Sequence, residues 1–252
     1  MEKKKTVEIS GLYKKYSKAQ DYAIKDINIT CYEGEIVGLL GKNGAGKSTT
    51  IKCLTGFFPF DKGSIKICGF DIVGQPVLAK QELGYVPDNR AMYEKMTGME
   101  YIHFIADLHG TPLEVRQERI DRMQEFLKLG EKINALIGTY SHGMRQKVCI
   151  MAALVHNPKL WLLDEPLTGL DPQTAKALRD YMQLYKKEGN TVLYSSHNLD
   201  AVEKTCDRAY IINDGKLVAE INIEEFKRES NGVSLELSLI HISEPTRRRG
   251  IS

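Results

Sequence analysis

Gly41-Lys42-Asn43-Gly44-Ala45-Gly46-Lys47-Ser48 is the first stretch whose residue types and spacing could do chemistry, because it fits the pattern G-x-x-x-x-G-K-[ST]. Glycines let the backbone curl until consecutive N–H groups point inward, which makes a cradle for phosphate oxygens. An apolar run, Ile36–Leu40, precedes the loop and a helix is expected from Ser48 to Leu54, so a helix N-terminus adds its dipole to the same anion. Lys47 can reach the β- and γ-phosphates of a nucleotide, and Ser48 can ligate Mg²⁺. Gly41, Asn43, Gly44, Ala45, Gly46, Lys47, Ser48 and Thr49 form the expected nucleotide-binding set.

Leu160-Trp161-Leu162-Leu163-Asp164-Glu165 is an apolar strand that ends in two adjacent carboxylates. Asp164 is expected to hold Mg²⁺ directly or through water. Glu165 is expected beside the γ-phosphate, where it orients the attacking water or accepts its proton. His197 follows the strand Thr191–Ser196; an imidazole there can hydrogen-bond the γ-phosphate or hold the water and Glu165 in place. Solvated acids at a strand end and a structural histidine are the plainer readings of the same residues; the phosphate loop weighs against the first and the strand-end position against the second.

These groups work only if separate elements bring them together. Ile36–Leu40, Leu160–Leu163 and Thr191–Ser195 are short apolar runs, as expected of strands buried on both faces of a parallel sheet. Ligands gather at the carboxyl ends of such strands, so Gly41, Asp164 and His197 are expected to be neighbours. Asp171-Pro172 reads as an N-cap and first helical turn, with Gly189 ending that helix. Asn213-Asp214-Gly215-Lys216 reads as a hairpin turn, and Val7–Leu12 with Ile24–Tyr32 as antiparallel strands. Residues 90–155 carry helical patterns around Glu100–Leu108 and Leu113–Leu129 and few strand signals. The expected architecture is α/β. Residues 1–88 form the first part of an ATP-binding core with an N-terminal antiparallel β subdomain, 89–156 a helical insertion, and 157–236 the second part of the core.

Composition narrows the function classes. The chain has 252 residues, of which 42% are hydrophobic and 27% charged, ordinary values for a globular protein. No run approaches the ~20 apolar residues of a membrane span, and Met1-Glu2-Lys3-Lys4-Lys5 is not followed by the apolar segment of a signal peptide, so a cytosolic location is expected. Cys31, Cys53, Cys68, Cys149 and Cys206 form no C-x-x-C pair and are expected to be buried free thiols. Residues 237–247 (Leu-Ser-Leu-Ile-His-Ile-Ser-Glu-Pro-Thr-Arg) look like an in-frame translation of a sequencing adapter. The native coding sequence is expected to stop near Glu236, and residues 237–252 are set aside. Without Arg247, Arg248, Arg249 and Glu244, the 35 basic and 33 acidic residues become 32 of each. A nucleic-acid partner is therefore not expected, since such proteins usually carry a basic excess on the folded part.

Tyr140-Ser141-His142-Gly143-Met144-Arg145-Gln146-Lys147 lies shortly upstream of the carboxylate strand. It resembles the signature motif of ABC ATPases, usually Leu-Ser-Gly-Gly-Gln. Together with the phosphate loop, Asp164-Glu165, Thr168-Gly169-Leu170-Asp171 and His197 it appears in that family's order and spacing, over residues 6 to about 228. The resemblance implies a P-loop ATPase core with a mainly parallel sheet. It also implies that Ser141, His142, Gly143 and Met144 bind the γ-phosphate held on a second copy in a head-to-tail ATP sandwich. Asp171 then lies in the loop that communicates across the interface. Tyr16, 25 residues before Gly41, matches the aromatic that stacks on adenine, with Tyr13 as its rival.

Two departures stand out. The family usually has glutamine in the loop joining the core to the helical insertion, whereas Gly84-Tyr85-Val86-Pro87 leads here into Asp88. Asp88 can offer an oxygen to Mg²⁺ or water, or serve a structural part in coupling. The signature carries His142 and Met144 in place of glycine and glutamine. Such variants resemble bacterial exporter ATPases paired with a separate permease, of the kind found in antibiotic-resistance and sodium-extrusion systems. The implied function is hydrolysis of ATP by a homodimer at the cytoplasmic face of the membrane, powering a permease that contacts the helical insertion and residues 88–96. The alternatives are a soluble ABC ATPase outside transport, whose usual second cassette or long coiled coil is missing here, and a nucleotide kinase or GTPase, which Ser141–Gln146 and Asp164-Glu165 speak against.

Overall fold

The computed structural model describes residues 3–17, 19–88, 92–168 and 170–229; the adapter-like segment 237–252 lies outside them. The strands are β1 (Lys5–Lys15), β2 (Tyr22–Tyr32), β3 (Ile36–Leu40), β4 (Lys62–Ile67), β5 (Phe70–Asp71), β6 (Leu83–Val86), β7 (Leu160–Asp164), β8 (Thr191–Ser196), β9 (Arg208–Asn213) and β10 (Lys216–Asn222). The helices are α1 (Lys47–Leu54), α2 (Pro76–Gln81), α3 (Gly98–Leu108), α4 (Leu113–Leu127), α5 (His142–Leu154), α6 (Pro172–Lys187), α7 (Leu199–Thr205) and α8 (Ile223–Glu229).

Two sheets result. One is antiparallel, in the order β2-β1-β4-β5; the other runs β10-β9-β3-β8-β7-β6 and is parallel except for the β9–β10 hairpin. Every residue of β3, β7 and β8 is buried, as central parallel strands covered on both faces require. Their period-2 alternation feeds two cores. Val37, Leu39, Leu160, Leu162 and Leu193 join the apolar layer shared with the antiparallel sheet, α1 and α2, while Ile36, Leu40, Trp161, Leu163 and Tyr194 join the layer shared with the remaining helices. The described chain between β6 and β7 is helical and packs as α3 and α4 against α5, which in turn lies on β6.

Local signals explain the element ends. Asp171 caps α6 by accepting from the Thr174 N–H at 2.9 Å, and Pro172 opens the helix. Thr97 and Glu100 form a reciprocal capping box on α3. The Ser141 hydroxyl caps the Met144 N–H, so α5 begins at His142. Two features differ from the sequence reading. Leu83–Val86 is the edge strand of the parallel sheet, which the sequence reading does not name; four residues are too few to show a period. β9 pairs with β3 in parallel as well as with β10, a long-range pairing that local turn signals do not carry.

Candidate functional site

The loop between β3 and α1 is shaped by what surrounds it. A Cβ on Gly41 would lie 2.4 Å from the Ile212 carbonyl oxygen, so only glycine fits at this close approach. Gly46 caps α1 at φ +115°, a left-handed conformation, and a Cβ there would meet Ile24 at 2.8 Å. The β9–β10 turn braces the loop from below: the Gly215 N–H donates to the Ala45 carbonyl at 2.9 Å. Lys47 is buried, and its ammonium donates to the carbonyls of Gly41 (2.7 Å) and Lys42 (3.2 Å).

Strand order then brings the acids to this loop. β8 lies between β3 and β7, and Asp164 pairs in register with Ser195. The Ser195 hydroxyl donates to Asp164 Oδ1 at 2.6 Å and accepts from the Glu165 N–H at 3.0 Å. Ser48 Oγ donates to the same Asp164 oxygen at 3.3 Å. Burial raises the Asp164 pKa above the ordinary carboxylate value; the hydroxyls of Ser195 and Ser48 oppose this, and the negative charges of Asp88 and Glu165 add to it. A buried carboxylate beside a hydroxyl is a hard-oxygen pair suited to Mg²⁺, which usually takes few protein ligands and completes its shell with water and phosphate. Among the described residues no group of three or more His, Cys, Asp and Glu forms a closed metal cage.

Glu165 has φ +50°, rare for a residue other than glycine. Its carboxylate is held between two bases. Oε1 lies 3.3 Å from the Lys47 ammonium, an ionic contact without hydrogen-bond alignment, and Oε2 meets His197 Nδ1 at 3.0 Å and Thr168 Oγ1 at 3.5 Å. His197, half exposed, forms with Glu165, Ser196 and Thr168 the wall of a cleft of about 170 Å³. Tyr16 meets the start of α1, its hydroxyl 3.0 Å from Thr49 Oγ1 and its ring edge-on to Phe58. The rival Tyr13 instead packs against Tyr22 on the antiparallel sheet.

The phosphate loop, Asp164, Glu165, His197 and Tyr16 thus converge. The signature residues do not: Ser141, Gly143 and Met144 make no hydrogen bond or ion pair with residues 41–49 among the described residues. Ser141 and His142 sit exposed at the start of α5. Asp171 is exposed, with its carboxyl held below the ordinary range by the Thr174 N–H, and its charge acts on Lys147 of α5. Asp88 is exposed at the end of β6, near enough for its charge to act on Asp164. Ser195 and Thr168 were missed as site residues; a serine at the end of a buried strand was the available signal, but its partner is set by sheet order.

A larger cleft of about 500 Å³ lies where the end of α1, β6, α3 and α5 meet, lined among others by Phe57, Tyr85, Tyr101, His109 and His156.

Fold and site together define an α/β P-loop ATPase. Residues 24–168 match the family model described as ABC transporter. The ABC transporter ATP-binding protein NatA of Bacillus subtilis is 34% identical over 91% of this chain and 92% of its own length. The linearmycin resistance ATP-binding protein LnrL of the same organism is 38% identical over 78% of this chain and 63% of its own length. A solved ATP-binding subunit of an ABC transporter superposes with a TM-score of 0.88 at 29% identity, covering 95% of this chain and all of that one. The chain belongs to the ABC transporter family, as one of its ATP-binding, ATP-hydrolysing subunits.

Proposed function

We propose that two copies of this chain clamp two ATP molecules head to tail and that Glu165 drives their hydrolysis. The single observation that carries this reading is the placement of Glu165, strained at φ +50° and held between Lys47 and His197 beside Asp164. In the proposed site Lys47 leaves the carbonyls of Gly41 and Lys42 for the β- and γ-phosphates, and the amides of residues 43–49 cradle them. Ser48 and Asp164 would hold Mg²⁺, which would supply positive charge to neutralise the phosphates. Once Lys47 has moved to phosphate, Glu165 Oε1 is free to orient the attacking water, while His197 fixes the other oxygen. Tyr16 stacks on adenine. Asp88 adds a negative charge beside the metal ligands in place of a neutral amide.

The other half of each site comes from the second copy. Exposed Ser141 and His142, with half-buried Gly143 and Met144 behind them, present a helix N-terminus, a natural anion site, to the partner's γ-phosphate, with Asp171 at the same interface. No helix among the described residues is long and apolar enough to cross a membrane. A permease docks on the helical region and residues 88–96, where Tyr93 is 61% exposed with its ring against Tyr101. Residues 89–91 lie outside the described residues. Export from the cytoplasmic face is the direction favoured by the signature variant and by the resistance role printed in the name of LnrL. The test is Glu165→Gln. Turnover is expected to fall at least a hundredfold while ATP traps a dimer visible by size exclusion; wild-type hydrolysis by that variant removes Glu165 from the role.

A further inference from the structure

We propose that Gln146 is a positioning residue that ties the signature helix of each copy to that copy's own Glu165, so that the two ATP sites of the dimer sense one another. The proposal rests on the head-to-tail reading above. Gln146 lies five residues after Ser141 in α5 and is fully buried. Its Nε2 donates to the carbonyl of Pro166 at 3.3 Å, and Pro166 is itself buried and follows Glu165 directly. Glu165 is thus held on both sides of its left-handed backbone: the Ser195 hydroxyl accepts its N–H, and Gln146 holds the carbonyl of the next residue.

Only one end of the amide is used within the fold. Gln146 Oε1 is buried and meets no donor among the described residues. A buried unpaired oxygen costs stability, and an unbranched apolar side chain would avoid that cost. The neighbouring Lys147 feels the charge of Asp171. The early turns of α5 therefore address both ends of the segment 165–171 that carries the catalytic carboxylate and the interface residue.

The geometry has a mechanical consequence. When Ser141 of one copy closes on the γ-phosphate held by the other, α5 moves as a rigid rod, and through Gln146 it carries Pro166 and Glu165 with it. ATP at one site then sets the carboxylate at the other, which is a coupling between sites through one packed element.

Gln146→Met tests this in the full-length protein, with ATP hydrolysis measured against ATP concentration, fluorescent-nucleotide binding by the monomer, and Tm. Nucleotide affinity and Tm are expected to stay near wild type. The kcat should fall about tenfold or more, and the Hill coefficient should drop from above one to one. A variant with wild-type kcat and Hill coefficient overturns the proposal. So does one whose Tm and kcat fall together while the Hill coefficient holds, since that marks a structural residue only. Gln146→Asn keeps the amide but shortens its reach; it is expected to lose the same cooperativity, and wild-type cooperativity there overturns the proposal even where the methionine variant is unstable. If Glu165→Gln fails to form an ATP-held dimer, the sandwich and the coupling fall together. If that dimer forms while the Gln146 variants remain cooperative, the coupling alone falls.

Discussion

At the scale of single residues, the site depends on hydroxyls as much as on charges. Asp164 is an acid in a place that disfavours its charge, and Ser195 is what keeps it usable. One short hydrogen bond from Ser195 steadies the carboxylate, and the same oxygen receives the N–H of strained Glu165. Ser195→Ala removes both partners at once without changing the shape of the strand. The buried N–H of Glu165 and the Asp164 carboxylate are left underpaired, so the fold should lose about 1–3 kcal/mol in urea denaturation. Loss of that hydrogen bond also raises the Asp164 pKa further, and ATP turnover should weaken most at low pH and low Mg²⁺ concentration. An alanine variant with unchanged stability and unchanged Mg²⁺ dependence would show that Ser195 does not support the acid.

At the scale of elements, α3, α5 and β6 meet in a pair of stacked imidazoles. The rings of His109, which caps the C-terminal end of α3, and His156, just after α5, lie 3.6 Å apart and within 11° of parallel. His156 Nε2 faces the Leu83 carbonyl of β6 at 3.2 Å and so carries the proton, which leaves the buried Nδ1 without one. Burial is the main cause that lowers the His156 pKa to about 3, followed by the charge of His109; the His109 pKa is lowered by burial too. A depressed base is neutral in the folded chain while the unfolded chain takes up a proton below about pH 6.5. Stability from this joint is therefore complete above that pH and declines as the pH falls toward 3, by at most about 1.4 kcal/mol per pH unit for His156. His156→Phe keeps a ring for stacking and has nothing to protonate. Its Tm should fall less steeply than wild type between pH 6.5 and 4, and parallel Tm profiles would contradict the account.

At the scale of the whole molecule, the proposed head-to-tail sandwich draws the two halves of each site from different surfaces of the two copies. Ser141 is exposed and capped onto its own helix, while the phosphate loop lies at the ends of β3, β8 and β7. Ser141→Arg should leave nucleotide binding by the monomer within about twofold of wild type, because the substitution is remote from its own loop. Hydrolysis should nevertheless fall to background, since a bulky cation replaces the helix tip against the partner's phosphate. Weakened binding by the monomer would mean that the signature acts in cis.

Much of this was legible before folding, for reasons that differ by residue. The loop 41–48, the acids Asp164 and Glu165, and the strands Ile36–Leu40, Leu160–Leu163 and Thr191–Ser195 are contiguous. Their chemistry and burial are written in neighbouring side chains, and the sheet rule that ligands sit at carboxyl ends joins them. The caps at Ser141 and Asp171 are likewise local. What tertiary structure alone decided is which distant groups touch. The bridge from Ser195 to Asp164 follows from β8 lying beside β7. The contact of Tyr16 with Thr49 is made across the fold, and the close approach of Ile212 to Gly41 follows from the parallel pairing of β9 with β3. Each of these contacts joins residues at least thirty positions apart. No periodicity or turn signal spans that distance, whereas burial of the two apolar layers does.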